Sequence, residues 1–415
     1  MTLIRGNPTG RLMTWLDAMF WTNAGFVLYP YALSPLALDW LARRKEREAA
    51  RARAAGDNQA SGARRLPSVS IVLAAYNEEE RIGRRIVELI DRVEALGVAG
   101  EMIVVSDGST DATVARARAS AGPRSEVQLR VVELAENGGK SAALTRGCAL
   151  ARHEIVVFAD ARQTWAVDAL ERLLENFDDP GVGAVSGELI AESAPGVMAG
   201  VGLYWRYETW LRRRESRVFS AVGVTGAISA VRRVRFHPIP AGTILDDVYW
   251  PLRVAMQNAR VVHDPRARAF DRLPDRVKDE FRRKVRTLSG NYQLLRRLPE
   301  AVNPARNPVW LQFLSHKIAR LVVPWSLIVL LVLSLVLPGP VYRAALWCQL
   351  GFYATGLTGM VPALARRLRF SSAVASFLVL NAAAWIAFWV WASGRTDKTW
   401  TKTAYAWTSR ERAAP

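Results

Sequence analysis

The apolar residues of this chain follow two rhythms. From residue 68 to about 275, short apolar runs alternate with amphipathic stretches. Val69-Ser70-Ile71-Val72-Leu73 predicts a strand that ends in the turn-like Tyr76-Asn77-Glu78. Over residues 79–96, Ile82, Ile86, Leu89, Ile90 and Val93 recur at helical spacing. Met102-Ile103-Val104-Val105 predicts a second strand, closed by Ser106-Asp107-Gly108-Ser109, with Ser109 or Thr110 placed to cap the next helix. Residues 129–134 and 155–159 predict a third and a fourth strand. Continuous apolar strands separated by helices imply a mostly parallel sheet covered on both faces. Ligands of such sheets bind beyond the carboxyl ends of the strands, where Asp107 and Asp160 both stand.

The second rhythm belongs to the two ends. Residues 18–41, 321–337, 344–365 and 371–393 are long and nearly free of charge, close to the roughly 20 apolar residues that a membrane span needs. Buried core helices are the alternative reading. The first stretch lacks the basic flank and small-residue cleavage site of a removed leader. Residues 43–65 carry Arg43, Arg44, Lys45, Arg47, Arg51, Arg53, Arg64 and Arg65 against few acids. This bias places the middle of the chain in the cytoplasm, and Arg366, Arg367 and Arg369 agree. The tail does not: three crossings after a cytoplasmic domain leave Arg395, Lys398 and Lys402 outside. The resulting division is an N-terminal span (1–42), a basic stalk and linker (43–66), an α/β domain (67–275), basic interfacial helices (276–318), about three C-terminal spans (319–394) and a tail (395–415).

Composition narrows the function classes. The net charge is +18, which suits nucleic acid, an anionic membrane face or phosphorylated substrates. The arginines cluster beside the apolar segments and no base-stacking module is visible, so nucleic acid is excluded as a partner. Cys148 and Cys348 are the only cysteines. They stand far apart, so neither a disulfide framework nor a cysteine-rich metal site is expected.

Each candidate for chemistry is weak alone, since an Asp after a strand is commonly a turn former. Gly139-Lys140-Ser141 hints at a phosphate loop, but that motif needs Gly at position 134, which is Leu. An NTPase is therefore rejected. Order and spacing carry more: Tyr76-Asn77-Glu78, Asp107-Gly108-Ser109, Asn137-Gly138-Gly139-Lys140, Asp160 and Asp246-Asp247 follow one another along the chain. Through VSIVLAAYNEEERI, IVVSDGSTDAT, ENGGKSAAL, VFADARQTW, VGVTGAISAVRR and TILDDV, residues 67–300 resemble the membrane-bound family 2 glycosyltransferases, such as cellulose, hyaluronan, chitin-oligosaccharide and poly-N-acetylglucosamine synthases.

The resemblance implies a cytoplasmic, Rossmann-like α/β catalytic domain of GT-A type with flanking transmembrane helices. It implies an inverting transferase in the plasma membrane that moves a sugar from a nucleotide-sugar donor, normally a UDP-sugar, to a polysaccharide destined for export. The carbohydrate acceptor is replaced by a lipid-linked one in single-addition enzymes, which act on ceramide, diacylglycerol or polyprenyl phosphate. A non-enzymatic membrane scaffold is the distant alternative. Membrane lipids and export or modification proteins are the implied partners. Tyr76, Asn77, Glu78, Asp107, Gly108 and Ser109 would hold the nucleotide. The alternatives are a packed aromatic for Tyr76 and a helix cap for Asp107. Lys140 would help fix the donor, unless it is a solvated surface lysine.

Asp160 would contact a divalent cation, Mg²⁺ or Mn²⁺, bridging diphosphate oxygens. The family's second acid is here Arg162. A guanidinium cannot ligate a cation but can fork onto phosphate; otherwise Arg162 meets solvent or Asp168. By position Asp247 would be the general base, with Asp246 matching the family's Glu. An acidic pair at a helix start is the alternative. Thr225 and Gly226 would lie on the acceptor side, with Trp205, Tyr207, Trp210, Tyr249 and Trp250 as candidate lining. Residues 204–217 also read as an amphipathic helix on the membrane, with Arg212, Arg213 and Arg214 facing anionic lipid. The family's Gln-x-x-Arg-Trp becomes Arg283-Lys284-Val285-Arg286-Thr287. Arg286 keeps the diphosphate contact, while the missing Trp weakens the case for processivity.

Overall fold

The computed structural model describes residues 8–54, 65–120, 126–192, 199–272, 277–361 and 370–396. The 55–64 linker, Arg366, Arg367 and Arg369, and the tail beyond residue 396 lie outside these.

Eight strands form one sheet in the order β3-β2-β1-β4-β7-β6-β8-β5. The first half is β1 (Val69–Ala75), β2 (Gly100–Asp107), β3 (Gln128–Leu134) and β4 (Ile155–Asp160), all parallel. The second half is β5 (Thr164–Trp165), β6 (Val182–Glu192), β7 (Ile228–Arg232) and β8 (Arg260–Arg272). There β7 runs antiparallel to both β4 and β6, β8 runs parallel to β6, and β5 is antiparallel to β8. The sheet is therefore mixed but mostly parallel, as the apolar runs predicted: six strands run one way, and β5 and β7 are reversed. The reason is local: β7 is entered from the carboxyl edge, through residues 219–227, and so must descend. That entry also delivers Thr225 and Gly226 to the edge where β1, β2 and β4 end.

Helices cover both faces. On one, α3 (Ile82–Leu96), α4 (Thr113–Ala119) and α6 (Ala169–Glu175) bury Ile82, Ile86, Leu89, Ala117, Leu170 and Leu173 against the sheet. On the other, α5 (Lys140–Leu150) and α8 (Asp246–Ala255) bury Leu144, Val248 and Leu252. Trp250 is core rather than acceptor lining: its ring centroid lies 5.3 Å from that of Phe158 and 6.5 Å from that of Phe236. Tyr249 is buried in the same cluster.

The ends are helical. A π-helical turn (Tyr29–Leu33) joins α1 (Pro8–Leu28) to α2 (Ser34–Ala54). After α7 (Ala199–Val218) and α9 (Val277–Arg297), a short α10 (Trp310–Phe313) passes through a second π-helical turn (Leu314–Ile318) into α11 (Ala319–Val336). Then come α12 (Pro340–Gly359) and α13 (Ser371–Ala392). Two helices, Trp310–Val336 and Ser371–Ala392, are long and apolar enough to cross a membrane. Among the described residues, the stretches expected at 18–41 and 344–365 do not form helices that reach the same measure.

The basic face of α7 is used inside the protein instead of facing lipid. Arg213 grips Glu188 of β6 at 2.6 and 2.8 Å, Arg214 meets Asp39 of α2 at 2.7 Å, and Arg212 turns toward residue 225. Three consecutive arginines sweep most of the helix circumference, and each finds an acid or a hydroxyl in a different neighbour.

Candidate active site

The site begins with two turns that lock each other. After β1 the backbone passes through Asn77 in the left-handed region (φ 52°). The Asn77 N–H donates to Ser109 Oγ (3.1 Å), and its Oδ1 accepts from the Thr110 N–H (2.8 Å). The Glu78 N–H donates to Thr113 Oγ1 (2.8 Å), and the Glu78 carboxylate meets Arg81 at 3.4 Å. Tyr76 is half-buried at the start of this turn. Ser109 and Thr110 do not cap α4 as expected; Asn77 engages both, and Asp111 takes the Thr113 N–H instead (2.9 Å). Asp107 is buried, and its two oxygens accept the N–H groups of Gly138 (2.8 Å) and Gly139 (2.9 Å). Gly108 (φ 67°) has no room for a side chain: a Cβ there would lie 2.8 Å from the Asn137 nitrogen. These contacts fix residues 137–139 over the end of β2 and start α5 at Lys140.

Lys140 is the centre of the arrangement. Its Nζ lies 2.5 Å from Asp160 Oδ1 at the end of β4. It also interacts electrostatically with Asp246 and Asp247 at the start of α8. A Cβ added to Gly226 would stand 3.0 Å from the same nitrogen. Lys140 is thus no surface lysine. Burial alone would lower its pKa, but the carboxylates of Asp160, Asp246 and Asp247 together raise it above the ordinary value. Burial pushes the Asp246 carboxyl up to about 7; Lys140 opposes this, while Asp247 and Asp160 add to it. Burial lowers the Arg286 pKa, and Asp246 and Asp247 pull it back. Sequence-distant Asp160, Asp246, Asp247, Arg286 and Gly226 therefore share one locus with Lys140.

The 219–227 loop is tied to α8 and α7. The Val224 N–H donates to the Asp247 carbonyl (2.8 Å), and the Thr225 N–H to Ser186 Oγ (2.9 Å). Arg212 donates to Thr225 Oγ1 (3.1 Å). Arg162 meets neither solvent alone nor Asp168. It pairs with Asp271 of β8 (2.8 Å), which also accepts from Gln163 Nε2 (3.0 Å). Asp168 holds Arg172 instead (3.2 Å). Asp271 and Lys317 escaped sequence reasoning, and Arg212 was read there as facing lipid. Lys317 leaves the π-helical turn before α11 and lies within electrostatic reach of Asp247 and Arg212. No motif marks any of them, because each arrives from a separate element.

The donor atoms fit a hard cation only in part. Asp160 offers one carboxylate, and among the described residues no three His, Cys, Asp or Glu side chains converge on a metal position. Such a set suits a divalent ion that brings phosphate and water ligands with it, and no closed protein cage.

Residues 70–234 match the family described as glycosyl transferase family 2. The chain is similar to poly-beta-1,6-N-acetyl-D-glucosamine synthase of Staphylococcus aureus, with 25% identity over 277 residues; the match covers 65% of each chain. It is similar over a shorter stretch to dolichyl-phosphate beta-glucosyltransferase of Drosophila melanogaster, with 39% identity over 98 residues, 22% of this chain and 30% of that one. Among solved structures, a mannosyltransferase of Pyrobaculum calidifontis in complex with GDP-Man and Mn²⁺ matches with a TM-score of 0.61 at 22% identity. It covers 90% of this chain and 99% of the other, which shows a shared GT-A-like fold.

Proposed function

We propose that this chain, whose residues 70–234 match glycosyl transferase family 2, is an inverting transferase moving a sugar from a UDP-sugar to the growing end of an exported polysaccharide. In this reading it works at the inner face of the plasma membrane, anchored by its apolar helices. The convergence of Asp160, Asp246, Asp247 and Arg286 on Lys140 carries the reading. The similarity to a poly-N-acetylglucosamine synthase supports the polysaccharide.

In the proposed mechanism the donor diphosphate lies over the 137–140 loop, between Lys140 and Arg286. Tyr76, Asn77, Glu78 and the Asp107-Gly108-Ser109 turn shape the nucleotide end. A Mg²⁺ or Mn²⁺ held by Asp160 would add positive charge to the leaving diphosphate. Arg162 joins the phosphate by turning from Asp271. Asp247, half-buried at the mouth, takes the acceptor hydroxyl's proton as the oxygen attacks the anomeric carbon. A single in-line displacement inverts that carbon. Asp246 is too deeply buried to meet a bulky acceptor and acts by setting the charge around Lys140.

A second reading, single addition to a lipid-linked acceptor, has its own support. Thr287, which stands where the family places its Trp, is exposed. Arg212 holds Thr225, whose loop is tied to Asp247, and Lys317, within the apolar helix Trp310–Val336, interacts with Glu208 and Glu215 as well as with Asp247. One assay tests both. Membranes holding the protein are incubated with radiolabelled UDP-sugars and Mg²⁺ or Mn²⁺, and lipid-soluble product is separated from high-mass product. High-mass label supports the polymer, label only in the lipid fraction supports the second reading, and no turnover with any donor rejects both.

A further inference from the structure

Strands β4 and β7 part company at the site. Their ladder runs Phe158↔Ser229, Ala159↔Ile228, and the next rung would join Asp160 to Ala227. That rung is not made. Two buried side chains from elsewhere meet its carbonyls. Arg85 of α3, 2% exposed, donates from Nε to the Asp160 carbonyl (3.1 Å). Trp165 of β5, 4% exposed, donates from Nε1 to the Ala227 carbonyl (3.0 Å). The two are joined beneath the site. The Arg85 guanidinium carbon stacks 4.9 Å over the Trp165 ring. Glu88 lies 2.9 Å from Arg85 Nη1 and accepts the Trp165 backbone N–H at 2.9 Å.

Burying a guanidinium is costly unless its partners are well placed. The neighbouring core positions of α3, Ile82, Ile86 and Leu89, are apolar. The charged exception lies under the rung where β4 and β7 part. Into that opening points Lys140, whose Nζ stands between Asp160 and Gly226.

We propose that Arg85 and Trp165 are positioning residues: they hold Asp160 and the Thr225-Gly226 loop apart, and so set the gap in which the donor's diphosphate and the acceptor meet. The proposal builds on the reading of Asp160 as donor side and Gly226 as acceptor side. It divides the work. Arg85 orients the strand end that carries Asp160, and the indole N–H of Trp165 orients the acceptor loop.

The test uses the full chain in membranes, with Mn²⁺ plus UDP followed by electron paramagnetic resonance, and with a UDP-sugar that the wild type turns over. Trp165→Phe keeps the ring and loses the N–H. It should lower the sugar transferred per UDP released by about five-fold, the worth of one net hydrogen bond, and leave Mn²⁺–UDP affinity within about two-fold. Arg85→Met should weaken Mn²⁺–UDP affinity by about ten-fold. If that variant does not fold, Glu88→Gln, which keeps the shape and removes the charge facing Arg85, should weaken it in the same sense. Both readouts falling together in Trp165→Phe, or neither moving, overturns the proposal. Asp160→Asn is the reference: if it leaves Mn²⁺–UDP affinity intact, the donor-site reading itself fails, whatever Arg85 and Trp165 do.

Discussion

The two sides of the site are built on different principles. The proposed donor side is backbone held by backbone and short polar side chains: Asp107 clamps two N–H groups, Asn77 laces one turn to the other, and Gly108 permits the close approach. The proposed acceptor side is charge held by charge: Asp246, Asp247, Arg212 and Lys317 arrive from three elements and balance one another at longer range. The first kind of site has its contacts made within the protein. The second depends on protonation and on which ion is present, so the two should respond differently to mutation.

The largest expected effect is on the acceptor side. Asp247→Asn should reduce transfer by about 10²–10⁴-fold, the usual worth of a positioned base, with UDP binding kept; transfer at the wild-type rate would show that another group takes the proton. Next comes the donor side. Asp107→Ala removes two charge-assisted acceptors from part-buried N–H groups and should cost about 2 kcal/mol of stability, read by denaturant melting. A melt unchanged by that substitution would mean the 137–139 loop is held by something else. Arg162→Ala should raise the apparent KM for the donor by about ten-fold, whereas an unaltered KM would leave Arg162 as a brace for Asp271 only.

The dependence on pH has a fixed sign. Asp246 titrates near 7 in the fold and near 4 in the unfolded chain. Between those values the folded state binds the extra proton, so this group's contribution to stability falls as pH rises from about 4 to about 7 and is flat above. Asp246→Asn should therefore melt higher relative to wild type at pH 8 than at pH 5. Equal differences at both pH values would show that Lys140 alone sets the local charge.

This contrast also explains what could be read from the sequence. The strands ending at residues 75, 107 and 160 are continuous apolar runs followed by turn residues, so they and the acids at their ends were legible from local pattern. Strand β7 was not read from the sequence, because its five residues make too short an apolar run, and its direction follows from the 219–227 segment that leads into it. Arg212, Arg213 and Arg214 read as a lipid-facing patch because their partners, Thr225, Glu188 and Asp39, lie on other elements. Trp250 read as sugar lining, but its size and its place in α8 put it against Phe158. Arg162 gave no sign of Asp271, which follows it by more than a hundred positions. Local chemistry was visible; pairing across elements was not.

Lys140 has a consequence for assembly. Three carboxylates that approached one another with nothing between them would repel, and a fold that needed a metal to gather them would wait on supply. Here the counter-charge is encoded in the chain and arrives with α5, so the site can form in a newly made protein that has met neither ion nor substrate. Chelation should accordingly leave the melting temperature unchanged, and a loss of several degrees in the presence of EDTA would contradict this.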